Sequence, residues 1–329
     1  MSTVATTSPA PPRFDVLRAL RGFPLLGPVL ALILSCIFFA TQSDSFLSGR
    51  NFAFILQQVV VVGTLAIGQT LVILTGGIDL SNGMIMALSS VLMTGLFANA
   101  GMDPYLAIAV GLAVCLAFGV LNGWLHTFVG LPPFIVTLGT YSIAFALVRI
   151  YTTETITNVP PALLFFGNTF RIGSAPISYG TLIMLALFAI TGFVLRSTPA
   201  GRAVYAVGDN PEAARLAGIH TSRVLISVYT VAALSYGIAG VLLVGRMGAG
   251  DPNTGQNGNL ESITAVVLGG TSLLGGRGYI LGTLVGALII GVFRNGLLLM
   301  GVESNYQVLI TGVLVILAAS ADYLSHRGK

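Results

Sequence analysis

Long apolar segments recur along almost the whole chain and constrain its fold more than any other feature. Among the 329 residues there are only 15 Lys and Arg and 11 Asp and Glu. Charged residues therefore make up 8% of the sequence, whereas a soluble globular domain has about 25%. A helix that crosses a bilayer needs about 20 mostly apolar residues. The sequence predicts an all-α, polytopic helical membrane protein and excludes a soluble one.

Ten candidate membrane spans can be drawn when about 20 apolar residues are assigned to each crossing. With the amino terminus in the cytoplasm, ten basic residues fall inside and five outside, which favours cytoplasmic amino and carboxyl termini. The connections around 75–82 and 276–279 are very short, so each is either a full exit or a re-entrant break. The spans are predicted near residues 24–42, 52–74, 82–98, 105–123, 133–151, 178–195, 224–245, 260–275, 279–299 and 306–323.

Lysine occurs once, at Lys329, and its absence elsewhere excludes several functions. The chain has no Walker lysine, no internal Schiff-base lysine and no lysine-rich surface for nucleic acid. Cys36 and Cys115 lie in apolar segments without a CxxC spacing, and the three histidines are far apart, so we expect no metal site. A membrane enzyme would need acid, base or metal groups at one depth, and no such set is visible. We therefore expect neither an enzyme nor a nucleic-acid-binding protein.

Two glycine-rich polar segments, 74–83 and 269–278, interrupt the apolar sequence and resemble degenerate copies of each other. Irregular backbone at membrane depth survives only where protein buries it or where it lines a cavity, and paired interruptions point to a transport pathway. The alternative is an ordinary cytoplasmic turn in which Asp79, Ser81 or Asn82 caps the next helix.

The polar segment 198–219 predicts a short docking helix on the cytoplasmic side. Asn210 is a suitable N-cap, Pro211 suits the first helical position, Glu212 complements the positive helix end, and Gly218 can end the helix in the left-handed conformation. Such a short helix is not stable alone in water, so we expect it to dock on a partner. Small alanines would fit a groove, and arginines would pair with carboxylates of that partner. An incidental loop helix is the alternative.

Neutral polar residues inside the predicted spans suit a pathway for a polyhydroxylated solute, because amides and hydroxyls can replace water one hydrogen bond at a time. The alternative is that each of them joins two helices by a hydrogen bond. These residues are Gln57, Gln58, Gln69, Asn122, Thr137, Thr140, Asn295 and Asn305.

Several motifs, taken in their order along the chain, resemble those of the permease subunit of bacterial ABC importers of the ribose, xylose and fructose type. The resemblance covers about residues 46–320, although Asn82 departs from the family, in which a small apolar residue more often stands there. The motifs are Gly68-Gln69-Thr70, residues 74–81, Asn122-Gly123, residues 133–140, Gly201-Arg202 through Gly218-Ile219, Gly269-Gly270-Thr271-Ser272, residues 275–278 and Gly282-Thr283.

The resemblance implies a multi-pass protein of the bacterial inner membrane that works as a pair, as a homodimer or with a related permease. Two ATPase subunits would bind inside and a periplasmic sugar-binding protein outside. ATP and Mg²⁺ would be held by the ATPase, with no cofactor on this chain. The domains would be cytoplasmic tails at 1–23 and 324–329 and a permease domain at 24–323, whose segment 197–222 couples to the ATPase.

The substrate implied is a monosaccharide, with ribose first and fructose or xylose next, moved by alternating access; a secondary transporter without an ATPase is the alternative. The external stretches 248–259 and 154–171 are candidate contacts for the binding protein. Expected ATPase-coupling residues are Gly201, Arg202, Asn210, Pro211, Glu212, Ala213, Ala214, Arg215 and Gly218. Expected pathway residues are Gln69, Gly76, Gly77, Asp79, Ser81, Asn122, Thr137, Thr140, Thr271 and Asn295.

Overall fold

Helices dominate the computed structural model, which describes residues 25–310 together with residues 312, 313, 316 and 320. One two-stranded hairpin, β1 (Thr169–Ile172) with β2 (Ala175–Ser178), is the only sheet within these residues. The helices are α1 Leu26–Gln42, α2 Gly49–Leu74, α3 Asn82–Ala100, α4 Pro104–Trp124, α5 Pro133–Tyr151, α6 Pro161–Leu164, α7 Tyr179–Ser197, α8 Pro199–Asp209, α9 Pro211–Leu216, α10 Thr221–Met247, α11 Gly258–Leu268 and α12 Ile280–Leu299.

Seven of the described helices are long and apolar enough to cross a membrane, which confirms the predicted all-α polytopic class. They are α2, α3, α4 with the π-helical turn Leu125–Val129, α5, α7, α10 and α12. Helix α1 is also apolar but has 17 residues. The predicted tails 1–23 and 324–329 and half of the predicted span 306–323 lie outside the described residues.

The predicted span 260–275 is wrong in its second half. Helix α11 has 11 residues and ends at Leu268, and residues 269–279 form turns. Gly270 and Gly275 have φ of +83° and +86°, in the left-handed region that favours glycine. Apolar residues continue past Leu268, but the backbone there is not helical, so α11 is too short to cross a bilayer alone.

Helix α2 is the centre of the bundle, since every residue from Val59 to Leu74 is buried. It contacts α7, α10, α11 and α12, whereas α10 also packs on α3 and α4. A helix that is apolar on all sides is stable only when other helices surround it. By contrast, α5 and α7 expose large apolar side chains such as Phe134, Ile150 and Phe193, as expected of helices that face lipid.

Close backbone contacts join α12 to α11 through glycine. A Cβ atom on Gly286 would overlap the carbonyl oxygen of Ala265, and one on Gly282 would overlap that of Gly269. Gly282 and Gly286 thus let α12 approach α11 and the turn after it closely, as small residues do between membrane helices.

Helices α3 and α11 both begin inside the bundle rather than at its surface. The first residue of α11, Gly258, lies beside Leu65, which is about 14 Å from the inner end of α2 and about 24 Å from its outer end at 1.5 Å per residue. Asn82 at the start of α3 contacts Gln69, about 8 Å from the inner end of α2. The chain therefore leaves α2 at Leu74 and turns back along α2 before α3 begins at Asn82.

Candidate functional site

A buried polar cluster forms where α2, α3 and α11 meet. The Asn82 Nδ2 atom donates to Gln69 Oε1 at 3.0 Å and to Ser262 Oγ at 2.8 Å. All three side chains are fully buried. One amide therefore holds the starts of α3 and α11 against the last third of α2.

Segment 75–81, which connects α2 to α3, is held in place by hydrogen bonds among its own residues and to the helices around it. Asp79 Oδ1 accepts hydrogen bonds from the Ser81 backbone N–H at 2.8 Å and from Ser81 Oγ at 2.5 Å. Asn122 Nδ2 of α4 donates to Ser81 Oγ at 3.1 Å. The carbonyl oxygen of Ile78 accepts from Thr137 Oγ1 of α5 at 3.1 Å. The segment is thereby tied to α4 and α5.

Asp79 does not cap α3, contrary to the alternative interpretation of the sequence. The N-cap of α3 is Ser81, which is in the right-handed helical conformation and makes no side-chain cap hydrogen bond. The Asp79 carboxylate instead folds back onto Ser81 in an Asx-type turn. Asp79 thus shapes the segment that precedes the helix.

Several amide atoms of this cluster have no hydrogen-bond partner within the described protein: Gln69 Nε2, Asn82 Oδ1 and Asn122 Oδ1. A buried polar atom without a partner costs about 1–3 kcal/mol. The other amide atom of each residue is already bonded: Asn82 Nδ2 donates to Gln69 Oε1, and Asn122 Nδ2 donates to Ser81 Oγ. The cluster can therefore gain hydrogen bonds when its helices rearrange or when a polar solute enters.

Two tyrosines of α10 complete the cluster, and the sequence analysis missed both. Tyr229 and Tyr236 are buried, and their rings fill space that Gly77 and Gly68 leave open. A Cβ atom on Gly77 would lie 2.7 Å from the Tyr229 hydroxyl oxygen. The two tyrosines are seven residues apart, so they share one face of α10, and this spacing was the available signal. Asn259, whose Nδ2 donates to the Leu80 carbonyl at 3.2 Å, was missed as well.

The two glycine-rich turns meet the segment 198–219 at the Leu74 end of α2. The backbone N–H of Gly276 donates to the Leu74 carbonyl oxygen at 2.9 Å. A Cβ atom on Gly208, near the end of α8, would overlap that oxygen and lie 2.7 Å from Gly276 N. A Cβ atom on Gly275 would lie 2.8 Å from Gly76 N. We call this set of backbone contacts, Leu74, Gly76, Gly208, Gly275 and Gly276, the glycine interlock.

The segment 198–219 folds as two capped helices, α8 and α9. Thr198 Oγ1 accepts from Gly201 N at 3.2 Å at the start of α8. The predicted caps of α9 are confirmed: Asn210 Oδ1 accepts from Ala213 N at 3.0 Å, Pro211 is the first helical residue, and Gly218 has φ of +85°. The segment is therefore ordered by its own sequence signals.

The solvent-exposed surface of α9 carries an ion pair and, at its end, the exposed apolar side chain of Leu216. Arg215 Nη2 lies 2.6 Å from Glu212 Oε1, and this guanidinium holds the pKa of the Glu212 carboxyl below its usual value. Arg215 thus pairs within α9, whereas we had expected a partner's carboxylate. Leu216 is 76% exposed, Ala213 and Arg202 are also exposed, and Ala214 is buried.

Three predicted pathway residues lie apart from the buried polar cluster. Asn295 Nδ2 donates to Asn51 Oδ1 at 2.9 Å, close to the outer end of α2. Thr140 Oγ1 bonds to the Val136 carbonyl within α5, and buried Thr271 lies in the second glycine-rich turn. Gly76 and Gly77 belong to the first glycine-rich turn. The described residues contain no group of three His, Cys, Asp or Glu side chains placed to hold a metal ion.

Comparison with known proteins gives one family and several curated relatives. Residues 51–319 match the family described as "Branched-chain amino acid transport system / permease component". The fructose import permease protein of Rhizobium meliloti is 46% identical over 310 residues, which cover 92% of this chain and 86% of that protein. The ribose import permease protein of Bacillus subtilis is 42% identical over 300 residues, covering 90% and 92%. The D-allose transport system permease protein of Escherichia coli is 34% identical over 297 residues, covering 90% of each chain.

Proposed function

We propose that this chain, which belongs to the branched-chain amino acid transport system permease-component family, imports a monosaccharide. It is a multi-pass transport subunit of the inner membrane and not an enzyme. The observation that carries the proposal is its similarity to sugar import permeases over about nine-tenths of its length. The fructose permease is more similar than the ribose permease, at 46% against 42% identity. Fructose is therefore tested on equal terms with ribose, and xylose and allose follow.

The chemistry of the buried polar cluster supports a neutral, hydroxyl-rich substrate. Gln69, Asn82 and Asn122 supply amide donors and acceptors, and Ser81 and Thr137 supply hydroxyls. Amides and hydroxyls exchange hydrogen bonds with sugar hydroxyls without the cost of burying an unpaired charge. We propose that this cluster is exposed to the substrate in one state of the transport cycle.

Energy for transport would come from a separate ATPase on which α8 and α9 are seated. The chain's one lysine is Lys329, so it cannot supply a Walker lysine within the bundle. Exposed Leu216 and Ala213 offer an apolar contact, and ATP with Mg²⁺ would be bound by the partner. A periplasmic sugar-binding protein would deliver the substrate, and a second permease copy would complete the pathway.

The glycine interlock gives this arrangement a physical route for coupling. Movement of α8 would press Gly208 on the Leu74 carbonyl and on the turn at Gly276, because no side chain stands between these backbones. Segment 75–81 begins at the same point and ends at the buried polar cluster. Closure of the ATPase would thereby reach the substrate pathway.

Reconstitution of the permease with its ATPase and binding protein in liposomes tests the function directly. Uptake of radiolabelled fructose, ribose, xylose and allose is measured with and without internal ATP. We expect ATP-dependent uptake of at least one of these sugars. ATP-independent uptake by the permease alone would show a secondary transporter instead, and uptake of none of them would refute the monosaccharide assignment.

Two matched leucine variants test the coupling segment. Leu216→Glu places a charge on the exposed tip of α9, and Leu47→Glu does the same at the outer side, where Leu47 is equally exposed at 76%. Leu216→Glu should lower both ATPase stimulation and uptake at least fivefold, while Leu47→Glu leaves stimulation by the permease unchanged. Equal stimulation in both variants would contradict the role of α9.

A further inference from the structure

A polar groove of about 620 Å³ opens beside the outer half of α2. Its volume falls in the range of about 300–1,000 Å³ found for small-molecule sites. We call it the outer groove. Its main lining residues are Phe54, Gln57, Gln58, Arg246, Arg294 and Glu303.

Gln58 gives the outer groove an acceptor that the protein does not use. Its Oε1 atom is buried and has no hydrogen-bond partner among the described residues. Leaving such an atom unpaired costs about 1–3 kcal/mol, and a rotation of the amide that brings it from its buried position to a ligand hydroxyl in the groove would remove that cost. Gln57 adds a second amide one residue away.

The charges of the outer groove balance, so its ligand need not be an ion. Arg246, Arg294 and Glu303 are lining residues, and Glu261, whose Oε1 lies 3.3 Å from Arg294 Nη1, adds the second carboxylate. Guanidinium and carboxylate groups bind neighbouring hydroxyls as donors and acceptors. Phe54 is 44% exposed and offers a flat apolar surface for the C–H face of a sugar ring. This combination fits a neutral monosaccharide better than an anion or an apolar compound.

The first turn of α11 separates the outer groove from the buried polar cluster. Glu261 pairs with Arg294 on the side of the groove, and the next residue, Ser262, bonds to Asn82 in the cluster. The backbones of α3 and α11 touch at this level, since a Cβ atom on Gly83 would overlap the Gly255 carbonyl oxygen. Leu65 closes the same level, 3.2 Å from a Cβ atom placed on Gly258. We call this contact of Gly83, Gly255, Gly258 and Leu65 the backbone barrier.

We propose that the outer groove is a binding site for the transported monosaccharide, on the outer side of the closed backbone barrier. The sugar is held there by the Gln58 amide and by the Phe54 ring before the barrier opens to the buried polar cluster. This inference rests on the proposed function, because it takes the same substrate class.

Two variants and two matched controls test this site in the permease–ATPase complex without the binding protein. Gln58→Leu removes the amide, with Gln42→Leu in α1 as its control. Phe54→Ala removes the exposed ring, with Phe52→Ala as its control, since Phe52 is exposed on the same helix but does not line the groove. Equilibrium binding of the radiolabelled sugar that the wild type transports is measured together with thermal unfolding.

We expect both groove variants to raise the dissociation constant for the sugar at least fivefold and both controls to leave it unchanged. Because Phe54 is exposed, its truncation tests the site even if Gln58→Leu fails to fold. Wild-type affinity in folded groove variants would overturn the site while the sugar transport stands. A wild-type complex that transports none of the tested sugars would instead refute the proposed function, and the site with it.

Discussion

Substitution of Gly208 by alanine is the sharpest test of how the cytoplasmic segment communicates with the bundle. The added Cβ atom would overlap the Leu74 carbonyl oxygen and lie 2.7 Å from Gly276 N. Both neighbours are backbone atoms, so neither can turn aside as a flexible side chain would. Helix α8 must move away from α2 to accommodate one methyl group.

The expected change in the free energy of unfolding combines two destabilising effects with one stabilising effect. Overpacking of this kind costs about 1–3 kcal/mol. Loss of the Gly276 N–H to Leu74 hydrogen bond, now 2.9 Å long, adds about 0.5–1.5 kcal/mol. Alanine regains about 1 kcal/mol of helix propensity relative to glycine. Gly208→Ala should therefore destabilise the glycine interlock by about 0.5–3.5 kcal/mol while the rest of the bundle keeps its packing.

Thermal unfolding, ATP hydrolysis and sugar uptake of the reconstituted complex are the measurements for this variant. We expect a lower unfolding temperature and fewer sugars transported per ATP hydrolysed, because α8 no longer presses on the turns at the end of α2. Gly139→Ala in α5 is the control, since a Cβ atom there meets nothing within 4 Å. Unchanged stability and an unchanged ratio of uptake to hydrolysis in Gly208→Ala would refute the reasoning.

Three further predictions concern other parts of the structure. Asn82→Ala removes hydrogen bonds to Gln69 and Ser262 and leaves both partners buried, so it should lower the free energy of unfolding by about 2–4 kcal/mol. Ser262→Ala loses only one of these bonds and should lower it by less. Equal losses in the two variants would contradict the conclusion that one Asn82 amide serves both partners. The Glu212 carboxyl should titrate below its usual pKa in carbon-13 NMR, and Arg215→Gln should restore that value. A lowered folded pKa means that the pair's stabilisation is present above the usual carboxyl pKa and is lost as the pH falls through the lowered one. A maleimide should label half-buried Cys36 before fully buried Cys115 in native protein and both after denaturation, and early labelling of Cys115 would contradict its place in the core.

Much of the helical organisation could be predicted because it depends on local sequence. Helix α5 has the predicted bounds 133–151, and α3 begins at the predicted residue 82. The caps of α9 were predictable since Asn210, Pro211 and Gly218 act on their own backbone neighbours. Span 260–275 failed because a hydropathy count does not detect that an apolar segment changes from helix to glycine turns at Leu268.

The candidate sites required information that no local pattern contains. The sequence shows several polar residues among apolar ones: Gln69, Asp79, Ser81, Asn122 and Thr137. It does not show the hydrogen bonds that connect α2 with α3, and segment 75–81 with α4 and α5. The tyrosines of α10 were missed because an aromatic residue in an apolar helix is ordinarily a packing residue. The outer groove combines residues near 54–58, 246, 294 and 303, and only tertiary structure brings such distant segments together.

Segment 75–82 connects the glycine interlock to the backbone barrier, and its contacts leave it little freedom to absorb movement. Its start, at Gly76, lies against Gly275, and the residue that follows its end, Gly83, lies against Gly255. Between these points Ile78 and Ser81 are bonded to α5 and α4. A displacement that α8 applies at the first contact must therefore either break these hydrogen bonds or move the start of α3. Movement of the start of α3 away from Gly255 would open the barrier, and it would do so at the cost of the Asn82 hydrogen bonds to Gln69 and Ser262.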